Sequence, residues 1–164
     1  MTNTPILLQL CPFAPEMEAG LRENYEVARW FDIGNPHEWL AENAPRVRAV
    51  ATGGHLGIPT DLMNKLPSLG LVAINGVGFD KVDLGAAKAR GVRVTTTPDV
   101  LTDDVADLAV GLIIAQFRCI PAGDAHVRAG MWPNAERPLG RKVSGSRFGI
   151  FGLGKIGSAI AERL

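Results

Sequence analysis

Gly152-Leu153-Gly154-Lys155-Ile156-Gly157 carries the spacing G-x-G-x-x-G, whose chemistry is the cradling of phosphate by backbone N–H groups. Each glycine has a physical task. Gly152 permits a tight turn, Gly154 lets the backbone approach a pyrophosphate, and Gly157 lets a following helix pack close to a preceding strand. The helix N-terminus then offers free N–H groups and a positive dipole end to the anion. Two other stretches are rich in glycine: Thr52-Gly53-Gly54-His55-Leu56-Gly57 and Asn75-Gly76-Val77-Gly78-Phe79-Asp80. Both can turn successive N–H groups toward an anion, and a small carboxylate suits such a nest. In all three stretches the same glycines also suit a tight strand-to-helix turn with no ligand. Of the three histidines, His37 lies at a helix start and reads as solvated, His126 reads as structural, and His55 can line a site. None has a carboxylate nearby in sequence to form a base–orienter pair. Asp80 and Asp83 read as caps of the helix that begins at Leu84.

These turns need elements to hold them. Phe148 to Phe151 is short, apolar and aromatic, as a buried strand is. Ile156, Ile160 and Leu164, with Ala159 beside them, fall on one face of a helix. Strand, glycines, helix is the order the phosphate-binding motif requires. Upstream, strands are expected at Ile6–Leu10, Tyr25–Trp30, Val47–Ala51, Leu71–Ile74 and Val92–Thr95. Helices are expected at 16–24, 36–44, 60–65 (Thr60 as N-cap) and 84–90 (ending at Gly91). Such alternation indicates a parallel sheet covered on both faces, here a flavodoxin-like unit. In open sheets of this kind ligands bind beyond the carboxyl ends of the strands, which is where both glycine-rich loops fall.

A long helix follows over 102–118, with Thr102 as N-cap, Asp103 and Asp104 in its first turn, and Pro121 as its stop. Val105, Leu108, Leu112 and Ala115 form its apolar stripe, flanked by Ala109 and Ile113. That width exceeds what one domain contact needs. A second helix spans 122–129, and 131–146 reads as an irregular connector. The division is therefore residues 1–100 as a flavodoxin-like α/β domain, 101–146 as interdomain helix and connector, and 147–164 as the start of a Rossmann nucleotide-binding domain. The acidic ribose-binding residue of such a domain lies about 20 residues beyond the glycines, past Leu164, so the chain is expected to be the N-terminal part of a longer, here truncated, protein.

Composition fits this picture. Apolar residues make up 46% and charged residues 21%, ordinary for a globular chain. Lys plus Arg and Asp plus Glu are both 17, so no basic excess suggests a nucleic-acid surface. No apolar run has membrane-span length and the start lacks a signal-peptide pattern, which makes a cytoplasmic location the expectation. Cys11 and Cys119 lack metal-ligand spacing and are expected to be buried free thiols.

The layout resembles the D-isomer-specific 2-hydroxyacid dehydrogenases. The resemblance rests on Gly76-Val-Gly-Phe-Asp-Lys-Val-Asp83, Ala89-Arg-Gly-Val-Arg-Val-Thr95, Asp104-Val-Ala-Asp-Leu-Ala-Val-Gly-Leu112 and Gly149-Ile-Phe-Gly-Leu-Gly-Lys-Ile-Gly157, in the family's order and spacing. Within the family the chain is most similar to the glyoxylate/hydroxypyruvate and hydroxyphenylpyruvate reductases.

The resemblance implies an active site in a cleft between two domains, and reduction of a small 2-keto acid to the D-2-hydroxy acid with NAD or NADP. It implies that N–H groups at Val77 and Gly78 hold the substrate carboxylate and that Leu56 lines the pocket. It further implies that Val105 faces the nicotinamide, and that Leu153, Lys155 and Ile156 join Gly152, Gly154 and Gly157 along the pyrophosphate. The family's catalytic arginine, glutamate and histidine are expected beyond the C-terminus, so the chain alone is expected to be inactive. The resemblance makes residues 1–100 the substrate domain and implies a homodimer of the full-length protein, with neither nucleic acid nor membrane as partner. Two alternatives stay open: an NAD(H)-binding regulator of the same architecture without catalysis, and a freestanding binding module ending near residue 146.

Overall fold

The computed structural model describes residues 4–164. Two compact units divide at Pro98/Asp99. The first is built on a five-stranded parallel sheet in the order β2-β1-β3-β4-β5. Its strands are β1 (Ile6–Gln9), β2 (Glu26–Arg29), β3 (Val47–Gly53), β4 (Leu71–Asn75) and β5 (Arg93–Thr95). Four helices connect them: α1 (Pro15–Asn24), α2 (Pro36–Asn43), α3 (Thr60–Asn64) and α4 (Leu84–Ala89). This is the flavodoxin-like α/β sheet that the alternation predicts.

Alternate residues of each strand face opposite sides. Ile6, Leu8, Val50, Val72 and Ile74 point to one face and are buried with Leu62, Met63 and Leu66. Each large apolar side chain buried there contributes roughly 1.5–3 kcal/mol. The opposite face carries smaller residues, Ala49, Ala51 and Ala73 with Leu7 and Leu71, beside Met17 and Leu21 of α1.

Local chemistry fixes the helix ends. Pro36 opens α2, and the Asn35 side chain accepts the Glu38 N–H at 3.4 Å. Asp83 caps α4 by accepting the Ala86 N–H at 2.9 Å, and Gly91 ends it at φ +69°. Asp80 makes no such cap. Arg90 donates to the Met63 carbonyl and, at 2.7 Å, to the Leu66 carbonyl, fastening α4 to the end of α3. Thr60 is the first residue of α3 rather than its cap, because Pro59 occupies the flanking position.

The second unit holds α5 (Thr102–Phe117), α6 (Ile120–Arg128) and α7 (Lys155–Arg163). Here four expectations need correction. Thr102 does not cap α5; Leu101 precedes it and no side chain caps the turn. Pro121 does not stop α5 but sits in the first turn of α6, and the break is made by Cys119 in the left-handed conformation, φ +54°. That bend turns α6 by 58° from α5, and Cys119 is half-buried rather than buried. Lastly, Phe148–Phe151 forms no strand. The unit offers it no partner strand among the described residues, so its backbone has no ladder to join. Phe151 is fully exposed, and Phe148 stacks edge-on against Phe117 at 5.7 Å.

The α5 stripe also differs from the expected buried face. Leu108 and Leu112 are 62% and 61% exposed, whereas Ala106 is buried. The α5–α7 contact explains it: Arg163 of α7 pairs with Asp103 at 2.8 Å and Asp107 at 2.6 Å, which lie on the Ala106 side of α5. The two carboxylates raise the guanidinium pKa further above its already high value. No single helix among the described residues is long and apolar enough to cross a membrane.

Candidate functional site

β3 and β4 are adjacent parallel strands, in register from Ala49↔Leu71 to Gly53↔Asn75. Their carboxyl ends therefore deliver the loops 53–57 and 76–80 side by side. The first loop is folded tightly, with the Leu56 and Gly57 N–H groups both donating to the Gly53 carbonyl at 3.1 and 2.9 Å. Thr52, fully buried, donates its hydroxyl to the Gly57 carbonyl at 2.7 Å and closes the loop from below. Gly57 lies at φ +61° and its Cα abuts the Lys81 backbone so closely that a Cβ there would collide.

The two loops touch through glycine. A Cβ built on Gly54 would stand 2.8 Å from the Gly78 oxygen and 3.5 Å from the Gly78 nitrogen. Gly76, at φ +152°, lies against Gly54 in the same contact, and its carbonyl accepts the Thr97 N–H at 2.9 Å. The N–H groups of Val77 and Gly78 meet no protein acceptor among the described residues. Leu56, on the neighbouring loop, and Val77 are 41% and 40% exposed. Val77 and Gly78 thus present two free donors at the carboxyl edge of the sheet, on the loop next to the one that carries Leu56.

His55 is exposed, with its imidazole against Gly53. Cys11 lies at the foot of the same loop. Burial raises its thiol pKa, partly offset by the Gly53 N–H that bonds the sulfur, so the thiol stays protonated and inert. His37 is exposed, and the His126 Nε2 is 2.9 Å from the Ala135 carbonyl oxygen, a structural contact.

The second constellation lies wholly in the second unit. Gly152 sits at φ +98°, where a side chain is strained. Gly154 precedes α7, with no side chain capping the first-turn N–H groups. A Cβ on Gly154 would meet nothing within 4 Å, whereas one on Gly157 would collide with the Gly152 carbonyl. The turn is therefore folded back onto the helix and open in front of it, and an anion at Gly154 would face the N-terminus of α7. These residues fit a dinucleotide pyrophosphate. Lys155 Nζ meets both Asp99 oxygens at 2.6 Å, Leu153 is exposed and Ile156 half-buried. Val105, in the first turn of α5, is 37% exposed.

Three participants escape sequence reasoning. Gly54 acts through a contact between loops and Thr52 through a hydrogen bond that closes its own loop, and the only signals for these are a second glycine and a polar residue at the end of an apolar strand. Asp99 gives no local signal of its pairing with a lysine 56 positions away. Among the described residues no group of His, Cys, Asp and Glu could hold a metal ion.

A parallel α/β unit with glycine-rich loops at the carboxyl ends of its strands, followed by a glycine turn opening a helix, is the amino-terminal layout of a nucleotide-dependent dehydrogenase. Residues 7–159 match the profile of the D-isomer specific 2-hydroxyacid dehydrogenase catalytic domain, and the chain belongs to that family. It is 41% identical over 164 residues to a 2-ketogluconate reductase of Gluconobacter oxydans, covering 100% of this chain and 52% of the relative. A solved 2-hydroxyacid dehydrogenase from Ketogulonicigenium vulgare matches with TM-score 0.92 and 42% identity, over 98% of this chain and 51% of the other. An NADPH-dependent glyoxylate/hydroxypyruvate reductase from Sinorhizobium meliloti, solved with NADP and malonate, matches with TM-score 0.84 and 38% identity, over 98% and 50%. The chain thus spans about half the length of the relatives it matches.

Proposed function

We propose that this chain serves the NAD(P)-dependent reduction of a small 2-keto acid of the glyoxylate/hydroxypyruvate class to its D-2-hydroxy acid. The observation that carries the reading is the pair of unpartnered N–H groups at Val77 and Gly78, on the loop that packs against the Leu56 loop at the carboxyl edge of the sheet. Those donors bind and orient the substrate carboxylate, and Leu56 lines the pocket for the rest of the acid. The turn Gly152–Gly157 would hold the cofactor pyrophosphate against α7, Lys155 would reach it by giving up its pairing with Asp99, and Val105 would face the nicotinamide. A bound nicotinamide cofactor supplies the hydride. The chain assigns none of its own side chains as the catalytic acid. Its exposed Leu108 and Leu112 support a homodimer formed through α5, since apolar positions in adjacent turns of one helix face are better covered than solvated.

The test is a titration of the chain with glyoxylate and hydroxypyruvate, followed by backbone amide NMR, with the methyl ester of each acid as the uncharged control. The acids should shift the Val77 and Gly78 amides saturably and the esters should not. Equal shifts from the esters, or none from the acids, would refute the carboxylate site. Purified 1–164 should oxidise NADH or NADPH only at background in the presence of either acid. Turnover of about 1–1000 per second would mean that the catalytic acid lies within these residues.

A further inference from the structure

The free donors at Val77 and Gly78 lie on a loop whose place is fixed from the neighbouring strand. Gly54 of the 53–57 loop is the point of contact: a side chain there would press on the Gly78 carbonyl at 2.8 Å and stand beside the Gly78 nitrogen at 3.5 Å. Contacts under 3.0 Å to backbone are not tolerated by a real Cβ, so one of the two loops would have to move. Gly54 cannot retreat, because its own loop is tied down. The Thr52 hydroxyl bonds the Gly57 carbonyl at 2.7 Å, the Gly57 N–H bonds the Gly53 carbonyl at 2.9 Å, and Gly57 is wedged against the Lys81 backbone. Thr52 is buried at the end of β3 and has no room to find another partner. The loop that yields is 76–80, whose residues from Val77 to Asp80 are all exposed.

We propose that Gly54 and Thr52 are positioning residues for the carboxylate site. Neither touches the substrate. Thr52 holds the 53–57 loop in its closed form, and Gly54, by lacking a side chain, lets the Gly78 main chain lie close against it while the Gly78 N–H, like that of Val77, meets no protein acceptor among the described residues. The proposal deepens the reading of loop 76–78 as the carboxylate grip and rests on it. It assigns to the 53–57 loop a second task beyond presenting Leu56: it is the template on which the anion nest is set.

The experiment compares the chain with Gly54→Ala, Thr52→Val and Thr52→Ser, using glyoxylate as probe and the Val77 and Gly78 amide signals as the readout. Gly20→Ala, in α1 with nothing within 4 Å of the added Cβ, is the control for a glycine-to-alanine change as such. Gly54→Ala and Thr52→Val should weaken glyoxylate binding about tenfold or more, the order expected when one hydrogen bond to a charged group is lost. Thr52→Ser, which keeps the hydroxyl, should bind within about twofold of the parent chain, as should Gly20→Ala. NADH affinity should be the same in all five proteins, since that turn lies in the other unit. A general loss of stability would not produce this split, nor rescue by serine alone. If Gly54→Ala fails to fold, the valine–serine pair decides alone. Parent-like glyoxylate affinity in folded Gly54→Ala, or equal affinity in Thr52→Val and Thr52→Ser, overturns the positioning role while leaving the carboxylate grip intact. Absence of any glyoxylate response at Val77 and Gly78 in the parent chain overturns both.

Discussion

Gly154 and Gly157 are three residues apart, yet the structure predicts opposite failures when each gains a side chain. At Gly157 an added Cβ runs into the Gly152 carbonyl, so the turn must move off the helix. Overpacking of this kind costs about 1–3 kcal/mol, and at roughly 4–8 °C per kcal/mol for a small unit the melting temperature of the second unit should fall by at least about 4 °C in Gly157→Ala. At Gly154 nothing lies within 4 Å and φ is −81°, a value open to any residue. Gly154→Val should therefore cost at most about 1 kcal/mol, the usual penalty for a poor residue at a helix N-cap. Its isopropyl group would instead fill the space in front of α7 through which a phosphate approaches. Loss of two hydrogen bonds to a charged group, about 1.5–3 kcal/mol each, corresponds to a rise in Kd of about 10²–10⁴-fold. The assay is fluorescence titration with NADH, paired with thermal unfolding of each variant. Gly154→Val with parent affinity, or Gly157→Ala with parent stability, would refute the division of roles.

The other expected outcomes follow from single contacts. Gly78→Pro removes an N–H donor and fixes φ; glyoxylate affinity should drop about tenfold or more while NADH affinity changes little, and the reverse pattern in paired titrations would contradict the site assignment. Glu18 ionises more readily folded than unfolded, because the Gln9 amide and then the Phe13 N–H bond its carboxylate, with smaller help from Arg29 and Arg22. The stability it lends is full above the ordinary glutamate range, near pH 4.3, and is lost as pH falls through its lowered folded value; urea unfolding between about pH 6 and pH 2 should show a shallower acid loss for Glu18→Gln than for the parent. Arg90→Met leaves the Met63 and Leu66 carbonyls short of a donor and should cost about 1–3 kcal/mol in thermal unfolding, whereas Arg90→Lys should recover only part, since an ammonium cannot span both oxygens as the guanidinium fork does. Leu112→Glu places a charge on the exposed α5 face, so equilibrium sedimentation should show a parent that self-associates and a monomeric variant; a monomeric parent would remove α5 as the dimer surface.

What the sequence makes legible here is what depends on period and on glycine. Alternation of apolar runs with helical segments locates β1 to β5 and their parallel order, because burial on both faces demands such runs. The turn at Gly152–Gly157 is legible for the same reason: few residues but glycine can adopt φ +98° or lie against a carbonyl. The pattern fails where a property belongs to a pair. Phe148–Phe151 has the composition of a strand, but a strand exists only with a neighbour, and none stands beside it in this unit. The stripe on α5 has helical period, yet which face is buried is decided by Arg163 reaching Asp103 and Asp107 from α7. Thr102 and Thr60 have the chemistry of caps, but each lies one residue inside its helix, where its side chain no longer reaches the free N–H groups. Lys155 reads from sequence as a phosphate contact, and its pairing with Asp99 appears only in three dimensions.

Both candidate anion sites are made of main chain. A carboxylate at Val77–Gly78 and a phosphate at Gly152–Gly157 would be bound by N–H groups, whose number and strength do not depend on the side chains that flank them. Binding of the charged end is thus separated from recognition of the rest of the molecule, which would fall to the exposed apolar side chains of the two loops, Leu56, Val77 and Phe79. Those three positions can change size or polarity without disturbing the grip, provided that Gly54 still admits the Gly78 peptide and Thr52 still closes its loop. Substitutions at Leu56, Val77 or Phe79 should therefore alter which acid is preferred while the affinity for glyoxylate, which has almost nothing beyond its carboxylate and aldehyde, stays nearly constant. If such substitutions changed glyoxylate binding as much as that of hydroxypyruvate, the side chains would be part of the grip, and the separation argued from the backbone geometry would not hold.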